Sequence, residues 1–242
     1  MTLRIRKAAL AVSVAALFGL TGLTACSSDG GGGGSRTTAS PPVMLGVLAA
    51  EVKDPPSDTS VDAGFARDMQ AHHAQAVAMS FTIRDLTGDE SVRMLAYDIA
   101  TTQQNQIGQM TGWLDMWGLT QTTTRPPMEW MSPAGMAAMG GHAMTPGATV
   151  PGPSATSGPD VPQMPGMATK AQLDRLAALR GVEAEVLFLQ LMITHHQAGA
   201  AMAQDAVDHA RSQVVRDLAK GMVNGQNAEI AQMRGWLALR GA

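Results

Sequence analysis

Adjacent histidine pairs occur twice in this chain, and each pair stands beside methionines at helical spacing. His72 and His73 follow Met69 by three and four residues, so on one helix either imidazole can approach the Met69 thioether. Met79 lies seven residues beyond His72, about 10 Å along a helix axis. One helix therefore cannot bring all of these side chains to a single ion. Imidazole and thioether ligands together favour copper, and thioethers alone favour Cu(I).

A second copy of the pattern supplies another such helix. The segment FARDMQAHHAQAVAMS from Phe65 returns as FLQLMITHHQAGAAMA from Phe188, at a constant offset of 123 residues (195 − 72). An internal repeat of this kind fixes the architecture. Antiparallel or crossed packing of the two copies would bring four imidazoles together, with methionines above and below them. The candidate metal ligands are Met69, His72, His73, Met79, Met192, His195, His196 and Met202.

Polar residues also repeat on the inward stripe of the helix that follows each pair. Gln103 matches Gln226 at the same offset, and Gln106 matches Glu229. Polar groups at buried positions need partners. These side chains are therefore expected either to accept hydrogen bonds from imidazole N–H groups around the metal or to join the helices to each other.

Each of these residues also has a structural interpretation. A methionine on a buried face can simply fill the core, because its flexible thioether side chain adapts to irregular gaps. The histidine pairs could be polar helix flanks or hydrogen-bonded core residues, although their recurrence in both copies favours a ligand role. Asp62 and its counterpart Glu185 are expected to be charges near helix N-termini rather than ligands.

Helical periodicity covers both copies. Residues 61–119 are predicted to form a first helix hairpin, in which Asp89 caps the second helix and Gly118 ends it. Residues 169–242 are predicted to hold a short helix over 170–180 and then the second hairpin. Neither hairpin can bury its apolar stripe alone, so the two should dock as one all-α domain, a four-helix bundle.

A different composition separates the copies, in a crossover over residues 120–168. Its many prolines and glycines predict that it lacks regular structure. Methionines nevertheless recur in it at MxxM spacing. The segment could capture Cu(I) weakly, or it could cover an open edge of the bundle as adaptable apolar surface. The candidate accessory ligands are Met136, Met139, His142 and Met144.

The N-terminal residues predict export and a lipid anchor. Residues 1–25 combine a basic start, a short apolar run and a small-residue cleavage pattern, as in a secretory signal. Cys26 follows directly, which is typical of a bacterial lipobox and predicts lipidation of its thiol at the extracytoplasmic face of the cell membrane. An ordinary signal peptide with an incidental cysteine is the alternative. Residues 26–60 read as a flexible Gly/Ser-rich tether.

Composition narrows the chemistry further. Cys26 is the only cysteine, so its lipidation leaves no thiolate, and a soft metal would depend on Met and His. The net charge of −3 comes without a basic stripe, which argues against a nucleic-acid partner. A di-iron bundle needs Glu three residues before its histidine. Met69 and Met192 occupy those positions.

The motif F-x-x-x-M-x-x-H-H-x-x-A/G-x-x-M-A/S, followed by Q-x-x-Q/E-I-x-x-M-x-x-W-L, resembles the bacterial family called domain of unknown function 305. The resemblance covers about residues 60–241 and includes the Pro165–Met167 segment. It implies a ferritin-like fold and, from some secreted members, copper binding linked to copper tolerance. It also implies metal contacts at the eight His and Met candidates. The chain departs from the family at Ala198-Gly199, where Gly-Ala is usual, and at Gln106, where Glu is frequent.

Three functions follow from these residues. The leading hypothesis is a lipid-anchored copper-binding protein without turnover, which sequesters copper or passes it to a copper-handling protein. The second is a ferritin-like redox enzyme that uses the same His/Met cluster, although no relay residue other than Tyr97 supports electron transfer. The third is an envelope interaction protein whose histidine pairs are structural.

Overall fold

The computed structural model describes residues 54–140 and 162–242, which all lie in one compact unit, Val47–Ala242. This part of the chain is helical and contains no strand, so the predicted all-α class is confirmed. The signal peptide, Cys26, His142 and Met144 lie outside the described residues. The helices are α1 Val61–Leu86, α2 Glu90–Met116, α3 Pro133–Gly140, α4 Lys170–Ala178, α5 Gly181–His209 and α6 Gln213–Leu239.

The ends of the helices follow from local sequence. Asp89 caps α2 as predicted, because its carboxylate accepts hydrogen bonds from the backbone N–H groups of Ser91 and Val92. A capping box between Thr169 and Gln172 begins α4. That helix ends at Ala178, before the predicted residue 180, and α5 begins at Gly181.

The two hairpins meet along their first helices. Helix α1 packs against α2 and α5 against α6, while α1 and α5 contact each other at the centre. The core comprises two apolar clusters, one that includes Met69 with Met202 and another that includes Met79 with Met192. The early methionine of α1 therefore lies with the late methionine of α5, so the two helices run antiparallel. Both histidine pairs fall between the two clusters.

Matched carboxylates hold each hairpin to the turn of the other. Asp62 on α1 accepts hydrogen bonds from the backbone N–H groups of Arg211 and Ser212, at 3.0 and 2.8 Å, where α6 begins. Its counterpart Glu185 on α5 accepts one from the Thr87 hydroxyl at 2.6 Å, beside the start of α2, and pairs with Arg240. Both carboxylates thus anchor turns, which agrees with a structural role rather than a ligand role.

The prediction that the crossover lacks regular structure is wrong for α3. Ser132 precedes this helix, and its hydroxyl accepts a hydrogen bond from Gly135 N at 3.0 Å. Pro133 occupies the first helical position, where a missing N–H costs nothing because that group has no partner within the helix. Asp205 of α5 then fixes the start of α3, because its carboxylate accepts hydrogen bonds from the backbone N–H and the hydroxyl of Ser132.

The crossover also contributes to the core. Asp68 of α1 accepts hydrogen bonds from the backbone N–H of Met128 and the indole N–H of Trp130, at 2.7 and 2.8 Å. These bonds hold the crossover on the bundle, so that its methionines pack with Met69 and Met202. The segment therefore covers one end of the bundle as apolar surface. The buried crossover methionines are Met128, Met131, Met139, Met164 and Met167.

The end of the crossover lies directly on α5. Gly166 has a φ angle of +81°, and a Cβ atom there would collide with the Cβ of Ala198 and approach the carbonyl oxygen of Thr194 to 3.1 Å. The next residues are held by Gln75 of α1, whose side-chain amide exchanges two hydrogen bonds with the backbone of Ala168. Glycine is required at this position both for its backbone conformation and for the close approach.

We expect Gly166→Ala to destabilise the protein more than Gly118→Ala. Gly118 also has a positive φ angle, +66°, but a Cβ there meets nothing within 4 Å. The control should therefore lose only the conformational term, about 1–2 kcal/mol, while Gly166→Ala adds an overpacking cost of about 1–3 kcal/mol. Denaturant unfolding of both variants measures the difference. Equal losses would contradict the close contact with α5.

Candidate metal centre

Two imidazoles stack where α1 and α5 touch. The ring centroids of His72 and His195 lie 3.7 Å apart, and the ring planes are inclined by 31°. His195 Nε2 donates a hydrogen bond to the backbone carbonyl of His72 at 3.0 Å. Gly199 permits this approach, since a Cβ there would lie 3.1 Å from His72 Cε1 and 2.5 Å from the side-chain oxygen of Gln226.

The other two imidazoles are held from behind by α2 and α6. His73 Nε2 donates to Gln106 Oε1 at 2.7 Å, and His196 Nε2 donates to Glu229 Oε2, also at 2.7 Å. Both acceptors are oxygen atoms, so each Nε2 carries the proton and each Nδ1 keeps a free lone pair. A hydrogen bond of this kind sets the tautomer and the ring orientation of a metal-ligating histidine.

The nitrogen atoms left over are the clearest sign of a binding site. Within the described residues, both ring nitrogens of His72 and the Nδ1 atoms of His73, His195 and His196 are buried without a hydrogen-bond partner. All four histidines are at most 1% exposed. Buried polar groups are rarely left unpaired, and each such group in a native protein calls for an explanation, such as a functional role, a bound water or a bound ion. The imidazole layer therefore contains five ring nitrogens, each a lone pair or an N–H group, that require an explanation.

Burial also keeps three of these imidazoles, those of His72, His73 and His195, neutral. Desolvation lowers the pKa of His73 to about 3, although its hydrogen bond to Gln106 acts in the opposite direction. Desolvation, reinforced by neighbouring histidines, lowers the pKa values of His72 and His195 well below the ordinary value. A neutral imidazole is the form that coordinates a metal ion. At neutral pH these three imidazoles therefore present nitrogen lone pairs rather than cations.

Thioethers lie on both sides of this imidazole layer. Met69, Met192 and Met202 are fully buried, and Met79 is 1% exposed. Within residues 54–140 and 162–242, no three His, Cys, Asp or Glu side chains form a group that could hold a metal ion by themselves. An ion in this layer would therefore combine imidazole with thioether, or would draw the side chains closer together.

The remaining predicted residues differ in placement. Of the four candidate acceptors, Gln106 and Glu229 accept the imidazole hydrogen bonds. Gln103 and Gln226 are buried, but in the described part of the chain their Oε1 atoms have no hydrogen-bond partner. The accessory pair on α3 also differs in burial: Met139 is 1% exposed in the core, whereas Met136 is 39% exposed.

Sequence patterns did not predict the role of Asp68 and Asp205, which fix the crossover to the bundle. Both carboxylates point into helix contacts rather than towards the imidazoles, and burial raises the pKa of Asp68. The signal that could have identified these two residues is an acidic side chain on the inward side of α1 and of α5. They lack counterparts in the repeat, because Asp68 matches Leu191 and Asp205 matches Thr82 at the offset of 123.

The fold and the repeated motifs agree with comparisons to other proteins. The family model described as domain of unknown function (DUF305) matches residues 62–237. The chain belongs to the DUF305 family. The predicted family membership is thereby confirmed. No protein of curated function matches the sequence.

Solved structures resemble this DUF305 chain over most of its length. A DUF305 protein from Streptomyces coelicolor, described as a candidate secreted protein, is 46% identical, with 77% of this chain and 97% of that chain covered and a TM-score of 0.63. A DUF305 fragment from Deinococcus radiodurans is 31% identical, with 76% and 99% covered and a TM-score of 0.54. CopM in its Cu(II)-bound form is 23% identical, with 74% and 96% covered and a TM-score of 0.49.

We expect the metal-free protein to lose stability as the pH falls below about 6.5. The unfolded chain binds a proton on His73 near its ordinary pKa of 6.5, whereas the folded chain resists protonation until about pH 3. Between these values the unfolded state holds more protons, so stability rises with pH and is lost as pH falls. Chemical unfolding at pH 7.5 and 5.0 tests this, and His73→Asn should show a weaker dependence. The same dependence in both proteins would argue against a buried neutral His73.

Proposed function

We propose that this DUF305 protein binds copper in its imidazole layer, and that it sequesters the ion or delivers it to a copper-handling protein. The observation that supports this most directly is the set of four buried imidazoles, which together have five ring nitrogens without a hydrogen-bond partner among the described residues. The donor set fits the metal. Imidazole nitrogen and thioether sulfur suit copper, whereas magnesium and calcium prefer oxygen and structural zinc usually takes thiolate.

The hydrogen bonds indicate which atoms would hold the ion. Nε2 is engaged in His73, His195 and His196, which leaves Nδ1 as the donor in each. Neither ring nitrogen of His72 has a partner in the described residues, so whichever nitrogen is unprotonated can bind the ion. Bound copper would supply a Lewis-acidic, redox-active centre. The chain's own contribution is to keep His72, His73 and His195 neutral and to exclude water. Hydrogen bonds also fix the tautomers of His73, His195 and His196.

Full burial favours binding and transfer over turnover. The imidazoles are at most 1% exposed, so a substrate larger than an ion cannot reach them without movement of the helices. The redox-enzyme alternative needs an electron route, and Tyr97 is 60% exposed on the surface. A shallow surface groove of about 330 Å³ is lined by residues of α2, among them Gln106, the hydrogen-bond partner of His73, and by Leu218 of α6.

The location rests on the sequence and on a relative. The basic and apolar leader with Cys26 after it supports export followed by lipid anchoring at the extracytoplasmic face of the cell membrane. The related protein from Streptomyces coelicolor is described as a candidate secreted protein. In the part of the chain that the structure describes, no helix has the length and apolar character needed to cross a membrane.

Copper binding should depend on the four histidines. We expect the full-length protein to compete with a chromophoric chelator for Cu(I), and a variant with His72, His73, His195 and His196 changed to Asn to lose that competition. Asparagine keeps a polar side chain but removes the imidazole nitrogens. His209→Ala is the matched control, because the His209 side chain is 47% exposed and lies outside the imidazole layer. Circular dichroism checks that each variant remains helical.

Two other results would redirect the assignment. If the fourfold variant remains helical and binds as tightly as the parent protein, copper belongs to the crossover, and changing Met136, Met139, His142 and Met144 should remove it. If the parent protein does not compete for copper at all, the histidine pairs are structural, and the envelope interaction hypothesis takes precedence.

The thioethers can be tested separately. Met→Leu preserves volume and usually costs less than about 1.5 kcal/mol of stability. We therefore expect M69L/M202L and M79L/M192L to remain folded, and the pair that supplies sulfur to the ion to lower Cu(I) affinity more than Cu(II) affinity. Competition titrations with both ions give the comparison. Unchanged Cu(I) affinity in both variants would assign all four methionines to core packing.

A further inference from the structure

The two halves of the imidazole layer differ in the charge of one hydrogen-bond acceptor. The His73 and His196 hydrogen bonds match in length, 2.7 Å, and in the donating atom, Nε2. The acceptor is the neutral amide of Gln106 in the first half and the carboxylate of Glu229 in the second. The two copies of the repeat therefore have the same hydrogen-bond geometry, but the acceptor carries a negative charge only in the second copy.

This difference acts directly on the ligand atoms. A carboxylate that accepts the Nε2 proton raises the electron density of the ring and makes Nδ1 a more basic ligand. It also places a negative charge next to a fully buried imidazole, where electrostatic interactions are screened less than in water. The Glu229 side chain is 25% exposed and that of His196 is 0% exposed, so water weakens this effect only in part. An amide provides neither contribution.

We propose that Glu229 is a positioning residue that makes the two halves inequivalent towards copper. The half that contains His196 favours Cu(II), because a more basic nitrogen and a nearby anion stabilise the higher charge. The half that contains His73 favours Cu(I), which suits neutral imidazole and thioether. This inference rests on the proposed copper-binding function and deepens it, because it assigns an oxidation-state preference to each half of the same layer.

Reciprocal isosteric substitutions test the proposal in the full-length protein. Glu229→Gln should lower Cu(II) affinity about 10- to 100-fold, the usual effect of removing a hydrogen-bond partner behind a metal ligand, and should change Cu(I) affinity less. Gln106→Glu should raise Cu(II) affinity in the other half. Separate competition titrations with Cu(I) and Cu(II) give these values. The nitrogen hyperfine pattern of bound Cu(II) in electron paramagnetic resonance reports the change in ligand basicity.

The exchanged variant Q106E/E229Q separates this role from simple stabilisation. It should bind Cu(II) as tightly as the parent. Its Cu(II) affinity should, however, depend more on His73 than on His196. His196→Asn should therefore cost more Cu(II) affinity in the parent, and His73→Asn should cost more in the exchanged protein. Thermal unfolding of the metal-free variants identifies any loss caused by the fold alone.

The outcomes distinguish this inference from the proposed function. Suppose that the parent binds copper through its histidines, but that E229Q lowers the Cu(I) and Cu(II) affinities equally or leaves both unchanged. The inequivalence of the two halves is then overturned, and the copper function stands. If His73→Asn and His196→Asn have equal effects on Cu(II) in the parent, the inequivalence is likewise overturned. If the parent binds neither ion, both proposals fail together.

Discussion

The structure depends on the contact between α1 and α5 at the stacked rings of His72 and His195. This contact places polar groups at the centre of a core where apolar packing would be more favourable. The absence of a side chain at Gly199 permits the approach. The backbone carbonyl of His72 accepts a hydrogen bond from His195 Nε2, which leaves the other three nitrogen atoms of the two rings without a partner in the described residues. Acceptors on α2 and α6 hold the neighbouring imidazoles of His73 and His196, and an apolar cluster lies on each side of the layer.

The layer divides the core into two apolar clusters of different construction. One contains Met79 and Met192 and is closed mainly by side chains of the bundle helices and α4. The other contains Met69 and Met202 and is completed by methionines of the crossover. Aromatic residues make up only 4% of the chain, so flexible thioether side chains supply much of the adaptable volume. The same side chains that fill the core are also candidate ligands, which is why packing and chemistry are difficult to separate by inspection of methionines alone.

Repetition and helical periodicity predicted most of the fold and the grouping of the four histidines. Caps such as Asp89 were readable because they depend on residues next to each other in the chain. The sequence did not determine which residues accept the hydrogen bonds of His73 and His196. Gln103 and Gln106 both lie on the stripe predicted to face inward, and small differences in helix rotation decide which one reaches an imidazole. Helix α3 was missed because the composition of the crossover conceals the favourable Ser132-Pro133 start. Long-range contacts, such as the one between Asp205 and Ser132, have no local signature.

Asp62 and Glu185 each fasten a turn that belongs to the opposite half of the repeat. Two separate copies of one hairpin could in principle make these contacts only after meeting in solution, and their association would vary with concentration. Covalent linkage through the crossover replaces that encounter by an intramolecular one with a high effective concentration. Covalent linkage also allows the two halves to differ in sequence, whereas the two subunits of a homodimer must be identical. A change such as Gln106 against Glu229 can then arise on one side only, so a duplicated chain can acquire differences that a homodimer of hairpins cannot.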